Sequence, residues 1–171
     1  MNIDWPSIPL FADLEPDAIK VIKNLFQRVR MDSNTTVIAE GTAGDEMFIL
    51  VKGRVKVTKS MLLSDVDIPI PGLQNSRKVL ATLDSSQFPF FGEMALLDRD
   101  VRSASVETLE PAEFLQTHRD AFFSLTSNHP RIGVRLLTNL GRLLAQNIRK
   151  GNKEQVKLTT ALALALSRHR I

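Results

Sequence analysis

The chain has 171 residues, 43% of them hydrophobic and 24% charged, with a net charge of +3 and no cysteine. That length suits one domain with an extra helix or two, and the missing cysteines exclude disulfides, thiolate metal sites, iron–sulfur clusters and cysteine nucleophiles. No apolar run reaches the roughly 20 residues needed to span a bilayer, and the start Met-Asn-Ile-Asp-Trp lacks the basic and apolar stretches of a signal peptide. A cytoplasmic protein is expected. The charge is uneven, because residues 131–171 hold nine Lys/Arg and one acid while residues 1–130 hold thirteen Lys/Arg and eighteen acids. Such a basic tail suits a nucleic acid, an acidic partner or an anionic membrane surface, or is a solvated helix face.

Residues 15–28 place Ile19, Ile22, Leu25 and Phe26 at helical spacing. Pro16 stands where a first-turn proline is tolerated, and Asp17 favours the helix dipole. After Arg30 the period becomes two. Residues 47–51 are apolar on both faces, Val55 and Val57 alternate with Arg54, Lys56 and Thr58, and Lys52-Gly53 between them reads as a hairpin turn. Gly41 and Gly44-Asp45 mark turns upstream. Residues 60–77, with Pro69, Pro71, Gly72 and Asn75, read as a long mobile loop between strands. Strand signals return at 78–83, 104–108 and 113–116.

From Arg119 the pattern is helical. Pro130 starts the longest helix, expected to end near Lys150, with Leu136, Leu137, Leu140, Leu143, Leu144 and Ile148 as a broad apolar stripe. Residues 153–167 read as a further helix, with Leu158, Leu162 and Leu166 at every fourth position; their Leu/Ala alternation also fits a strand. The order predicts an α+β, mainly β fold: a small jelly-roll β-barrel flanked by an N-terminal helix and C-terminal lid helices. Residues 1–150 are expected to form the domain and 151–171 a basic helical extension.

One stretch carries the chemistry: Phe91-Gly92-Glu93-Met94-Ala95-Leu96-Leu97, a charged turn at Asp98-Arg99-Asp100, then Val101-Arg102-Ser103-Ala104. Gly92 allows close backbone approach to a ligand. Residues 93–97 are good helix formers, so a helical turn can start at the glycine with its free N–H groups aimed at an anion. Arg102 brings a rigid fork of donors suited to two phosphate oxygens, Ser103 adds a hydroxyl, and Ala104 leaves room. Glu93 is an odd neighbour for an anion unless the ligand also presents a hydroxyl beside its phosphate, as the ribose 2′-OH of a cyclic nucleotide does.

This segment resembles the phosphate-binding cassette of the cyclic-nucleotide-binding domain family, which includes bacterial catabolite activators, kinase regulatory subunits and certain ion channels. The pattern there is Phe-Gly-Glu, an aliphatic turn, and Arg-(Ser/Thr/Ala)-Ala about nine positions after the glutamate, the spacing of Glu93 to Arg102. Glu40-Gly41-Thr42-Ala43-Gly44-Asp45 and Leu50-Val51-Lys52-Gly53-Arg54-Val55 are similar to the family's two glycine-turn signatures, and His129-Pro130 to its hinge. The resemblance covers roughly residues 8–150. It departs at the long 60–77 loop and at Ser85-Ser86-Gln87-Phe88-Pro89-Phe90, which replaces the usual Gly-Asp before the cassette. It also ends without a helix-turn-helix, so no DNA reading by this chain is expected.

The resemblance implies that Glu93 accepts from the ribose 2′-OH and Arg102 neutralises the phosphate. Ser103 would donate to a phosphate oxygen or a guanine edge, and Gly92 and Ala104 would make backbone contacts, with Met94 and Ala95 completing the site. The alternative for the anchors is an Arg102–Glu93 salt bridge in a barrel without ligand. Cyclic AMP is favoured over cyclic GMP, because Arg102-Ser103-Ala104 is similar to the bacterial cyclic-AMP sensors.

No paired catalytic carboxylates, nucleophile elbow or Walker loop stands out. His118, His129 and His169 lack metal spacing. No enzyme, cofactor or metal site is therefore expected. Phe88, Phe90 and Phe91 read as core or as pocket wall, and Trp5 as a staple for the N-terminal arm. The function expected is a sensor that relays nucleotide occupancy through the helices after Pro130, gripping a second copy or an effector through residues 130–150. The alternatives are a ligand-free scaffold dimerising through the leucines and, beyond that, a barrel sensing another small anion.

Overall fold

The computed structural model describes residues 3–61 and 77–168. Pro16 opens the first helix, α1 (Pro16–Lys23), and turns Ile19 and Ile22 inward. The helix is shorter than the 15–28 expected: Asn24 caps it, and Gln27 and Arg28 already belong to β1 (Gln27–Met31). Ladder bonds outside the helix satisfy the backbone there, because β1 pairs along its length with β8 (Ala112–His118). Leu25 and Phe26 are still buried with Ile19 and Ile22.

The remaining strands are β2 (Thr36–Ile38), β3 (Glu46–Lys52), β4 (Arg54–Ser60), β5 (Arg77–Asp84), β6 (Phe90–Phe91) and β7 (Ser105–Thr108). They form two antiparallel four-stranded sheets, ordered β1-β8-β3-β6 and β2-β7-β4-β5. This is the mainly β jelly roll with flanking helices that the pattern predicted. The doubly apolar reading of β3 explains how the layers stack. Phe48 and Leu50 point between the sheets with Val55, Phe91, Val106 and Phe114, while Met47 and Ile49 point the other way, onto Phe11, Ile22, Phe122 and Leu136 of the helical layer. Trp5 staples the N-terminal arm by stacking on Phe11 at 5.6 Å. Of the 60–77 loop, Ser60 and Arg77 are ladder partners closing β4 and β5, and residues 62–76 lie outside the described residues.

Two short helices follow, α2 (Glu93–Asp98) and α3 (Arg119–Asn128), and then α4 (Pro130–Arg168). The last corrects two expectations. It is one helix of 39 residues, with no break near Lys150 and no separate helix or strand over 153–167. A Gly-Asn pair at 151–152 weakens a helix by only about 1.5 kcal/mol against two alanines, and good helix formers on both sides carry the backbone bonds through. The boundary expected at 150/151 is therefore not a structural break. On the stripe, Leu136 and Leu140 are buried, a contribution of about 1.5–3 kcal/mol each. Leu143 and Leu144 are partly covered, and Leu137 and Ile148 are exposed.

Candidate functional site

Gly92 is the pivot of the cassette. It caps α2 at φ +87°, and a Cβ there would stand 2.4 Å from the backbone oxygen of Glu46. The chain can make this turn, at this distance from β3, only without a side chain. The preceding residues reach it through a tight turn at Ser85–Gln87, where the Asp84 carboxylate accepts from the Ser86 N–H at 2.8 Å. The Leu50 N–H then donates to the Pro89 carbonyl at 2.9 Å.

Arg102 is buried. Its Nη2 donates to Glu46 Oε2 at 2.6 Å, and its Nη1 to the carbonyls of Glu46 at 2.8 Å and Gly92 at 3.2 Å. The salt bridge weighed as the alternative, Arg102 with Glu93, is thus replaced by one with Glu46. Gly44, read as a turn, instead leaves room for this guanidinium: a Cβ there would meet Arg102 at 2.7 Å. The Gly41 N–H and the Arg102 carbonyl bond at 2.8 Å, and the Arg102 N–H and the Thr42 carbonyl at 2.9 Å, pinning the β2–β3 connection to the cassette.

Glu93 is half-buried, and burial pushes its carboxyl above the ordinary glutamate range. Its own backbone N–H and the Arg102 charge offset this only in part. Ser103 is exposed, with its hydroxyl 3.7 Å from the Met94 sulfur.

Gly92, Glu93, Met94, Ala95, Arg102, Ser103 and Ala104 all line one cleft of about 710 Å³, within the range of small-molecule sites. Its walls are otherwise mostly apolar: Ile38, Val57, Leu80, Leu83 and Val106 from one sheet, with Phe90 and Phe91. Phe91 is both core and wall, stacking on Phe48 at 5.9 Å. The far side belongs to the expected lid helix, but at residues that reach past its expected end. Asn147, Lys150, Gly151, Glu154 and Leu158 close the cleft from α4, and Lys78 from β5. Spacings of three, one, three and four residues place those five on one helix face, a periodicity present in the sequence but hidden by the assumption of a break at 150. Of these, Glu154 is bonded to Lys157 at 2.8 Å, which holds its carboxyl below the ordinary range.

Asp45, Glu46 and His118 bring one ligand atom each within 4.8 Å of one another. The Glu46 carboxylate is the one bound to Arg102, and Asp45 faces His118 at 3.5 Å.

The model of the cyclic nucleotide-binding domain family matches residues 28–129. The chain belongs to that family. It is similar to a CRP-like cAMP-activated global transcriptional regulator of Mycobacterium tuberculosis, at 28% identity over 87% of this chain and 59% of that protein. It is also similar to cGMP-dependent protein kinase isozyme 1 of Drosophila melanogaster, at 30% identity over 68% of this chain and 14% of the kinase. The chain therefore spans less than two thirds of the length of these relatives. Among solved structures, the Thermus thermophilus catabolite activator protein superposes with a TM-score of 0.71 at 27% identity, over 88% of this chain and 63% of that one. A cyclic nucleotide-binding domain from Methylobacillus flagellatus gives 0.72 at 25% identity, over 84% and 74%. The matched residues contain the whole cassette, and the family's jelly roll is the fold found here. Among the described residues, no helix is long and apolar enough to cross a membrane.

Proposed function

We propose that this domain is a regulatory sensor that binds a cyclic purine mononucleotide in the cleft between the cassette and α4, acts in the cytoplasm and performs no chemical step. One observation carries the reading: the seven cassette residues converge on a single cleft. The apolar sheet wall suits the base and the face of the ribose. Glu93 suits the 2′-OH, and Arg102 with Ser103 suits the phosphate. Arg102 reaches the phosphate while keeping its bonds to the carbonyls of Glu46 and Gly92, so ligand and Glu46 carboxylate share one guanidinium. Cyclic AMP is the favoured ligand. Supporting this are Arg102-Ser103-Ala104 and the bacterial relatives whose names carry cyclic AMP; the kinases named for cyclic GMP make that nucleotide the control. Titration calorimetry with both decides, and a ligand at 100 times its Kd should also stabilise the fold by about 2.7 kcal/mol. No binding of either at millimolar concentration overturns the reading.

The output face supports a homodimer. Positions 134, 137, 141, 144, 148, 151, 155, 158 and 162 of α4 step alternately by three and four residues and carry Val, Leu, Gly, Leu, Ile, Gly, Gln, Leu and Leu. That is the spacing of a two-stranded coiled-coil seam, six of its nine positions hold large apolar residues, and Val134, Ile148, Leu158 and Leu162 are more than half exposed in the single chain. Light scattering should give a dimer mass for the whole chain, and a monomer at high concentration refutes it. The same exposed line favours the second reading, a scaffold that dimerises without ligand, which dimerisation together with failed calorimetry would select.

A further inference from the structure

The cassette helix is anchored at its far end by a residue that belongs to neither the cassette nor α4. Arg119, the first residue of α3, sends Nη1 to the carbonyl oxygens of Leu96 and Leu97, the second at 2.8 Å. Both carbonyls are in the last turn of α2, where helical backbone has no partner of its own and a cation is favourable. The same guanidinium lies 4.6 Å over the ring of Phe123, one turn further along α3. Its backbone N–H donates to the carbonyl of Asp45, beside Glu46, at 3.1 Å. A planar guanidinium held by two carbonyls on one side and a ring on the other is a stiff strut.

Beyond that strut the path is closely packed. Phe123 meets Phe122 at 5.5 Å, and Phe122 is fully buried against the helical layer that holds Leu136 of α4. Near the hinge, α3 and α4 touch so closely at Thr126 and Gly133 that a Cβ on Gly133 would stand 2.8 Å from Thr126 Cα. α2 is six residues long, so its start faces the cleft while its end is gripped by α3.

We infer that Arg119 is the positioning residue that couples movement of the cassette helix to α3 and α4. The inference rests on the nucleotide reading above. Ligand drawn onto the Gly92 end of α2 displaces a short rigid element, and the two carbonyls carry that displacement to Arg119. α3, packed on α4 without slack, passes it on. Arg119 does not line the cleft, so replacing it cuts the strut without removing a cleft-lining side chain.

The absence of native cysteine makes the test direct. Cysteines introduced at Ser33, on the exposed turn before β2, and at Gln146, on the exposed side of α4, accept spin labels at those two points alone. Labelled chain is diluted with excess unlabelled chain, so that pulsed electron resonance reads the distance within one molecule, with and without saturating cyclic AMP. Calorimetry is run on each protein. In the otherwise native background the distance should shift on binding. Arg119→Ala, and Arg119→Lys, which keeps the charge but loses the rigid planar guanidinium stacked over the Phe123 ring, should still bind cyclic AMP and lose the shift. Variants that bind with the native shift overturn the role of Arg119, as does a native chain that binds without any shift. Variants that lose binding altogether make Arg119 part of the cassette's frame and overturn the coupling. A native chain that binds neither cyclic nucleotide overturns the nucleotide reading itself, and the coupling with it.

Discussion

Replacing Gly92 by alanine separates two costs that the structure keeps distinct. The first is backbone strain: at φ +87° a residue with a Cβ loses about 1–2 kcal/mol. The second is steric. The new methyl would sit 2.4 Å from the Glu46 carbonyl and 2.7 Å from Arg102 Nη1. Backbone cannot retreat cheaply, so an overpacking cost of about 1–3 kcal/mol is added. A total near 3 kcal/mol lowers the melting temperature by roughly 6–12 °C in a domain of this size. Gly41 supplies the control. It has φ +78° with nothing within 4 Å of its missing Cβ, so Gly41→Ala should cost the strain alone, about 1–2 kcal/mol. Urea unfolding of both variants measures the difference. Calorimetry should show nucleotide affinity falling in Gly92→Ala, where the methyl wedges against Arg102, and holding in Gly41→Ala. Equal destabilisation by the two substitutions would refute the close approach of the cassette to β3.

Arg102→Ala should weaken cyclic AMP by at least about thirtyfold, the worth of a charge-assisted donor pair, and a loss under tenfold would put the phosphate elsewhere. Glu93→Ala should impair binding of the ribonucleotide far more than that of its 2′-deoxy analogue; equal losses remove the Glu93–hydroxyl contact. Because burial raises the Glu93 carboxyl, the folded state holds that proton more tightly than the unfolded chain. Stability should therefore fall as pH rises from the ordinary glutamate value, about 4.3, through the raised one, and Glu93→Gln should flatten that slope; an unchanged slope in the variant contradicts the burial. Asn139, buried in α4, donates to the carbonyls of Leu10 at 3.1 Å and Ala12 at 2.8 Å. Asn139→Leu should thus destabilise by about 1–3 kcal/mol in thermal melts, and a neutral substitution would mean that the N-terminal arm is held by its aromatics alone.

The cassette was legible because its chemistry is local. Gly92 to Ala104 is one continuous run, so the turn, the short helix and the returning arginine follow from residue types and spacing without knowledge of the rest of the chain. The strands were legible for a related reason. Alternation along β4 and the double apolarity of β3 record which faces are buried, and burial is the dominant favourable contribution to folding. At the end of α1 the sequence reading went astray because a competing interaction lay far off. The periodicity of α1 ran on to Arg28, but pairing with β8, more than 80 positions later, claimed those backbone groups for a strand.

Only the tertiary structure decided what the site residues do with one another. Glu46 and Arg102 stand 56 positions apart, and Arg119 grips a carbonyl 22 positions back. No local pattern encodes either contact, because each depends on how strands and helices stack. The same holds for α4. Sequence supplied its leucines and its charge, but a Gly-Asn pair is a helix end only if tertiary contacts or a cap make it one. Here none does, so the helix continues and brings Lys150, Glu154 and Leu158 over the cleft that the cassette lines. Residue identity set the chemistry available at the cleft, and long-range packing set which of those groups face each other across it.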